Sequence, residues 1–179
     1  MTIHAIRHLI TPWNRRGLLQ GNTDIALLQE DAENERIALR LKEQLAEASF
    51  DQVVVSPMKR AVQTAELLGY QDFIVDERVT EMSFMQYEGQ PKADMLAEMN
   101  GKWQADPLST VLGPELIRLE VRIKSFLAHY GGVDQVLLIS HGAYVRALNA
   151  FINHGSLDSM NRMEFGNGER MILEWKSQL

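Results

Sequence analysis

Short apolar runs alternate along this chain with amphipathic stretches of helical periodicity. The clearest apolar run is Gln135–Ser140, and a helical pattern follows it from Ala143 to about Asn153. The same patterns predict strands near residues 2–7, 51–55, 73–75 and 171–175, and helices near 31–48, 57–69 and 113–130. Strands that alternate with helices are typical of an α/β fold. We expect a three-layer α/β/α sandwich with a mostly parallel central sheet.

The length of 179 residues fits one domain, and we expect residues 1–179 to form it. Within that domain the helical pattern weakens over residues 82–112, where Pro91, Asn100-Gly101 and Pro107 separate short pieces. We expect this segment to leave the sheet and cover one end of it as a lid. Five of its side chains are expected to form lid core rather than ligand contacts: Met82, Met85, Met95, Met99 and Trp103.

Charge and composition narrow the classes of partner. The net charge of −6 argues against non-specific nucleic-acid binding, which relies on basic patches. The chain has no cysteine, which excludes thiol catalysis and disulfides. No apolar stretch is long enough to span a bilayer, and the N-terminus lacks the apolar core of a signal peptide. We expect a cytoplasmic protein without membrane contact, and the sequence leaves its oligomeric state open.

Polar residues follow three of the predicted strands. Arg7-His8 ends the first, Ser56 to Arg60 follows the second, and Ser140-His141-Gly142 ends a later one. Ser56 is expected to cap the next helix, which places Arg60 near a helix N-terminus that favours an anion. Taken alone, Arg7-His8 is better explained as a solvated strand end, and Arg60 fits a solvated helix start equally well.

Parallel strands bring their carboxyl ends to one edge of the sheet, so the three clusters are expected to meet in one crevice. Two arginines, two histidines and a helix N-terminus at one place form a receptor for a compact dianion. Phosphate is the commonest such ligand. We therefore expect a small phosphorylated molecule as the partner.

An ordered set of motifs from residue 3 to about residue 150 resembles the histidine phosphatase superfamily, which includes the cofactor-dependent phosphoglycerate mutases. The motifs are Arg7-His8, Thr11-x-Trp13-Asn14, Gln20-Gly21, Ser56-Pro57-x-x-Arg60-Ala61-x-Gln63-Thr64-Ala65, Glu81 with Glu88-Gly89, and Ser140-His141-Gly142. Each motif alone is weakly specific, whereas the ordered set is highly specific.

The resemblance implies a role for each matching residue. His8 is similar to the nucleophile that takes the phosphoryl group, and Glu81 to the general acid and base. Arg7, Arg60 and His141 resemble the clamp on the phosphate oxygens. Two further residues are carried over as phosphate-binding positions: Asn14 and Gly142. This chemistry requires no metal, and the sequence lacks the usual metal-binding motifs (His-Glu-x-x-His, a Walker loop), so we expect no metal and no cofactor.

One departure from the family pattern lies beside the expected nucleophile. The family has glycine where this chain has Leu9, and the leucine either strains the backbone or narrows the substrate pocket. Two further departures, Asp31 and Asn34-Glu35, are expected to be surface changes of little consequence. The expected activity is phosphomonoester hydrolysis through phosphohistidine. Phosphoglycerate mutase chemistry and a catalytically weak phosphate-binding regulatory protein are the alternatives.

Overall fold

A computed structural model describes residues 1–176 of the chain. Its five strands form one sheet in the order β3-β2-β4-β1-β5. The strands are β1 (Thr2–Arg7), β2 (Gln52–Val55), β3 (Ile74–Val75), β4 (Gln135–Ser140) and β5 (Arg170–Glu174). All neighbouring pairs are parallel except β1 and β5. The expected mostly parallel sheet is confirmed, and its antiparallel strand lies at the edge.

Seven α-helices connect and cover these strands within the described residues. They are α1 (Pro12–Arg15), α2 (Ala32–Leu45), α3 (Lys59–Leu68), α4 (Lys92–Met99), α5 (Lys102–Ala105), α6 (Gly113–Tyr130) and α7 (Gly142–His154). Helix α6 has the bounds that its apolar periodicity predicts, since Leu116, Ile123 and Phe126 lie on its buried face. No helix among residues 1–176 is long and apolar enough to cross a membrane.

Side chains of each inner strand point alternately into two separate cores. Val136 and Leu138 of β4 belong to the core that α6 and α7 cover. Leu137 and Ile139 belong to the core under α2 and α3. This alternation follows from the two-residue period of a strand, and helices on both faces explain why β4 is apolar throughout. The structure is the expected three-layer sandwich.

The start of α3 differs from the prediction. Ser56 does not cap the helix, because the helix begins at Lys59 and Met58 occupies its N-cap without a side-chain hydrogen bond. The Ser56 hydroxyl lies instead 2.7 Å from the Nε2 atom of His141. The predicted N-cap was wrong by two residues, and the Ser56 hydroxyl also accepts from the Met58 N–H group at 3.4 Å.

The departures at Asp31 and Asn34 are not the inconsequential surface changes that we expected. Asp31 caps α2 by accepting a hydrogen bond from the Asn34 N–H group. The Asn34 side chain is 2% exposed, accepts from the Ile10 N–H group and donates to the Ile10 carbonyl. These two bonds tie α2 to the segment that follows β1.

The segment from residue 82 to 112 holds α4, α5 and two 3₁₀ turns, and it packs against the α6 and α7 face of the sheet. Met82, Met95 and Met99 are buried there as expected, as is Trp103. Met85 is an exception, because 47% of it is exposed. That the segment acts as a lid over one end of the sheet stays a prediction.

Candidate active site

The register of the sheet brings the predicted clusters together. Arg7 pairs with Ser140, and Val55 pairs with Ile139, so β1, β4 and β2 end at the same level. The ladder continues for one further residue on each side of β4, where the His8 N–H group donates to the Ser140 carbonyl at 2.9 Å. Each strand therefore delivers its next residues to one edge of the sheet.

A cavity of about 250 Å³ opens at this edge. Six of the seven predicted site residues line it: Arg7, His8, Asn14, Arg60, Glu81 and Gly142. We call it the phosphate cavity after the ligand that the sequence predicts. His141 is the seventh residue, and it is fully buried behind this wall with its ring centroid 5.4 Å from that of His8.

His8 presents one ring nitrogen for chemistry. Its Nδ1 atom lies 2.7 Å from the Leu9 carbonyl oxygen, which can only accept, so Nδ1 carries a proton and donates it. Burial, followed by the charges of Arg60 and Arg7, lowers the pKa of His8 well below its usual range. The ring is therefore neutral near pH 7, and the lone pair lies on Nε2.

Arg60 is a fully buried arginine at the start of α3. Its Nη1 and Nη2 atoms donate to the carbonyls of Thr23 and Gly21 at 2.9 and 2.8 Å. Its Nε atom donates to His141 Nδ1 at 3.2 Å. A guanidinium has five N–H groups, so two remain for a ligand in the cavity.

His141 has both ring nitrogens engaged. Because Arg60 donates to Nδ1, the proton of the neutral ring lies on Nε2 and is donated to the Ser56 hydroxyl. Burial, followed by the charge of Arg60, lowers the pKa of His141 well below its usual range. His141 thus positions Arg60 in this structure, and its direct contact with phosphate stays a prediction.

Arg7 and Gly142 lie in contact across the cavity wall. A Cβ atom on Gly142 would lie 3.1 Å from the Arg7 Nε atom, which explains why a residue without a side chain starts α7. The Arg7 Nη1 atom donates to the Phe165 carbonyl at 2.6 Å, while its buried Nε atom has no partner among residues 1–176. Burial, with Arg146 as the next cause, lowers the pKa of Arg7 to about 10.

Three backbone N–H groups hold the carboxylate of Glu81. Oε1 accepts from Met82 and Tyr144 at 3.0 Å, and Oε2 accepts from Ala143 at 3.0 Å. The carboxylate therefore caps the N-terminus of α7, where the helix dipole favours a negative charge. Oε2 retains a lone pair through which it can exchange a proton with a ligand.

Glu88, the other acidic residue of the resemblance, has a structural position. Its carboxylate accepts from the backbone N–H groups of Asn22, Thr23 and Phe84, at 3.0 to 3.1 Å. It does not line the phosphate cavity. A Cβ atom on Gly21 would lie 2.1 Å from the Glu88 Oε1 atom, and Gly21 has a φ of +53°. Glycine is therefore required at position 21, where the backbone lies against the Glu88 carboxylate.

Three further polar residues in the cavity wall escaped the sequence analysis: Lys92, Arg146 and Asn167. The Asn167 amide donates to the His8 carbonyl at 3.0 Å and to Asn14 Oδ1 at 3.2 Å. Helical spacing marks Arg146, which lies one turn after Gly142. Lys92 and Asn167 have no comparable signal, because each follows a segment of weak periodicity.

Comparison with known proteins identifies the family. The sequence profile of the histidine phosphatase superfamily (branch 1) matches residues 3–178. The chain belongs to this superfamily. This membership confirms the expected family and the expected enzyme class, a phosphoric monoester hydrolase.

Individual relatives agree with the assignment. PhoE of Bacillus subtilis, named as an uncharacterized phosphatase, is 30% identical over 159 residues that cover 84% of this chain and 76% of PhoE. The alpha-ribazole phosphatase structure from Shigella flexneri has a TM-score of 0.79 at 23% identity and covers 98% of this chain and 91% of its own. A phosphoserine phosphatase from Entamoeba histolytica, solved with 3-phosphoglyceric acid, has a TM-score of 0.77 at 21% identity, with 96% and 89% covered. These structural likenesses show the fold.

Proposed function

We propose that this histidine phosphatase hydrolyses a small phosphomonoester through a phosphohistidine on His8, without a metal ion. The observation that carries the proposal is the neutral His8 ring, which donates its Nδ1 proton to the Leu9 carbonyl, keeps the lone pair of Nε2 and lines a cavity together with Arg7 and Arg60. A neutral imidazole is a competent nucleophile. The phosphatases named above supply the chemical class, and the small cavity supports a metabolite-sized substrate.

The proposed reaction has two steps. In the first, His8 Nε2 forms a bond to phosphorus, the bond to the leaving oxygen breaks, and Glu81, which enters this step as the carboxylic acid, gives that oxygen its proton. In the second, Glu81 takes a proton from water, whose oxygen attacks phosphorus and releases His8 and inorganic phosphate. Arg7 and Arg60 stabilise the charge on the equatorial phosphate oxygens in both steps, and fixed cations supply most of the catalysis in such transfers. Asn14 and the Gly142 N–H group are proposed as further donors to phosphate.

The decisive experiment traps the intermediate. We expect His8→Ala to lower kcat for 4-nitrophenyl phosphate by about 10³-fold or more, since the nucleophile is lost. The wild-type enzyme, quenched with ³²P-labelled substrate, should carry an acid-labile label on the peptide that contains His8. The matched control is His129→Ala, at the exposed end of α6, which should retain full activity. An acid-stable label, or a label on serine, would contradict the proposal.

Two additional arms separate the alternatives. EDTA should leave activity unchanged, and loss of activity restored by a divalent ion would overturn the metal-independent step. Conversion of 3-phosphoglycerate to 2-phosphoglycerate, rather than release of inorganic phosphate, would identify a mutase. Binding of phosphate without turnover of any phosphomonoester would identify the regulatory alternative.

A further inference from the structure

Arg60 is a buried cation without a carboxylate in direct contact. Its side chain is fully buried, and the ion pairs within 4.0 Å among residues 1–176 all involve other residues. Burial lowers the pKa of Arg60, because water no longer stabilises the charge. Three carboxylates partly offset this lowering of the pKa: Glu81, Asp24 and Glu88. A buried charge is stable only where fixed dipoles or charges compensate for the lost water.

Residues 21–23 form a turn, which we call the 21–23 turn, between Arg60 and Glu88. The peptide group that joins Gly21 to Asn22 accepts from Arg60 Nη2 at 2.8 Å and donates its N–H group to Glu88 Oε1 at 3.0 Å. Thr23 repeats this arrangement, since its carbonyl accepts from Arg60 Nη1 at 2.9 Å and its N–H group donates to Glu88 Oε2 at 3.1 Å. The carbonyls thus face the cation and the N–H groups face the anion. Hydrogen bonds in such a chain polarise one another.

Glu88 is itself held in place beside this turn. The N–H group of the next residue, Gly89, donates to the Leu19 carbonyl at 2.8 Å, and the Leu19 N–H group donates to the Gln90 carbonyl at 3.0 Å. The Thr23 hydroxyl adds a bond of 2.7 Å to Glu88 Oε2. Backbone pairing therefore fixes Glu88 on the side of the turn that lies opposite Arg60.

We propose that Glu88 is a positioning residue for Arg60, which acts through the 21–23 turn to orient the two guanidinium N–H groups that remain for phosphate. Each Nη atom of Arg60 has two hydrogens, and one of them is bound by a carbonyl of the turn. Because the guanidinium is planar, the same carbonyls set the direction of the other two hydrogens. The inference rests on the proposed phosphatase function and adds a residue that does not line the phosphate cavity.

Neutralisation of Glu88 separates positioning from a simple effect of charge. Removal of a negative charge by itself strengthens the binding of an anion. Loss of positioning weakens that binding, because the Arg60 N–H groups no longer meet the phosphate oxygens. The two roles therefore predict opposite changes in the Kd of phosphate.

Titration calorimetry with inorganic phosphate measures this Kd without turnover. We expect Glu88→Gln to raise the Kd about 10-fold, the loss typical of a broken contact in a hydrogen-bonded network. Glu98→Gln is the matched control and should leave the Kd at its wild-type value, because it neutralises a carboxylate of α4 that accepts from the Tyr87 hydroxyl. A Kd that falls, or stays unchanged, in Glu88→Gln would overturn the proposal.

A double-mutant cycle shows whether the effect passes through Arg60. In Arg60→Lys one ammonium group replaces the planar fork, so the turn no longer orients a pair of donors. Adding Glu88→Gln to that variant should raise the Kd less than about 3-fold. A loss of about 10-fold in both backgrounds would reduce Glu88 to a general structural role. If Glu88→Gln does not fold, Glu88→Asp, which keeps the charge but is one methylene shorter, takes its place with the same expectations.

A wild-type protein that binds no phosphate would contradict the proposed function and not the link between Glu88 and Arg60. That link is then decided by the ¹⁵N–¹H NMR signal of the Arg60 Nε–H group, which is identified by its absence from Arg60→Lys. We expect the signal to shift in Glu88→Gln and to keep its position in Glu98→Gln. An unchanged signal in Glu88→Gln would overturn the link.

Discussion

The orientation of the His8 ring depends on the residue that follows it. The Leu9 carbonyl accepts from His8 Nδ1 at 2.7 Å, and the Leu9 N–H group donates to the Thr64 hydroxyl at 3.0 Å. The Leu9 side chain is fully buried in the core under α2 and α3 and does not line the phosphate cavity. Leu9 thus holds the nucleophile through its backbone and anchors that backbone through its side chain.

This position settles the two interpretations of Leu9 that the sequence left open. Within residues 1–176 the non-glycine residues with positive φ are Glu30, Met85 and Asn100, so Leu9 has no left-handed strain. Its side chain does not narrow the pocket either. A Cβ atom on Gly168 would lie 3.1 Å from a Leu9 methyl group, which shows how closely the leucine packs. The departure from the family pattern is a core contact.

A substitution at this position should therefore act on stability. We expect Leu9→Ala to lower the free energy of unfolding by about 2–5 kcal/mol, because it leaves a cavity in a closely packed core. The ratio of kcat/KM between large and small phosphomonoesters should stay at its wild-type value. Urea unfolding measures the first quantity, and Leu39→Ala, at an exposed position of α2, is the matched control. Unchanged stability with altered substrate selectivity would show that Leu9 shapes the pocket after all.

At the scale of elements, α6 supports the loop that carries Glu81. Arg122 donates to the carbonyls of Arg78 and Glu81 at 3.3 Å, and also to the carbonyl of Thr80. Its guanidinium lies 6.0 Å from the ring centroid of Tyr144, a distance at which a cation and an aromatic ring attract. The general acid of the proposed mechanism is thus positioned from both sides, by α7 through its N–H groups and by α6 through Arg122.

Loss of this support should affect the step that needs the acid. We expect Arg122→Met to lower kcat/KM about 10-fold for alkyl phosphates and far less for 4-nitrophenyl phosphate, whose leaving group needs no proton. Glu81→Gln should show the same pattern with a larger effect. Arg118→Met, one turn earlier on α6 and exposed, is the control. An equal fall for both substrates would reduce Arg122 to a structural role, and an equal fall for Glu81→Gln would remove Glu81 as the acid.

The sequence predicts the bounds of a helix or strand correctly where a single residue pattern determines that element. The apolar face of α6 and the apolar run of β4 follow from periodicity and burial, and both have the predicted bounds. The start of α3 was predicted wrongly. Ser56 is a residue type that often caps helices, but here its hydroxyl contacts His141 and the helix begins at Lys59. Lys92 joined the site without a sequence signal, because tertiary packing of the segment between residues 82 and 112 places it there. Local patterns predict elements, while long-range contacts decide which side chains meet.

At the scale of the whole molecule, basic side chains are concentrated in the phosphate cavity although the protein as a whole is acidic. The chain has a net charge of −6, yet Arg7, Arg60, Lys92 and Arg146 meet in one cavity. Field lines concentrate in a low-dielectric cleft, so a few fixed cations attract an anion despite the acidic remainder of the protein. Burial, followed by the charges of Arg60 and Arg7, also disfavours protonation of the buried His8 and His141 and lowers the pKa of each. Arg60 and Arg7 therefore contribute both to anion binding and to the neutrality of the imidazole rings.

This coupling predicts a pH dependence of stability. In the folded chain the pKa values of His8 and His141 are lowered well below their usual range, mainly by burial and then by Arg60. Between those lowered values and about 6.5, the unfolded chain binds more protons than the folded one. The stabilising contribution is complete above pH 6.5 and is lost as the pH falls. The slope is about 1.4 kcal/mol per pH unit for each histidine.

Urea unfolding between pH 7.5 and 5.0, in buffer without phosphate, measures this slope. Phosphate must be absent because a ligand that binds only the folded state raises its apparent stability. We expect His8→Gln to reduce the slope below pH 6.5 by the contribution of one histidine, about 1.4 kcal/mol per pH unit, since glutamine does not titrate. His154→Gln, at the exposed end of α7, should leave the slope unchanged. If His8→Gln does not alter the slope, His8 accepts a proton in the folded chain as readily as in the unfolded one. The nucleophile would then be protonated below pH 6.5, which contradicts the neutral His8 of the proposed mechanism.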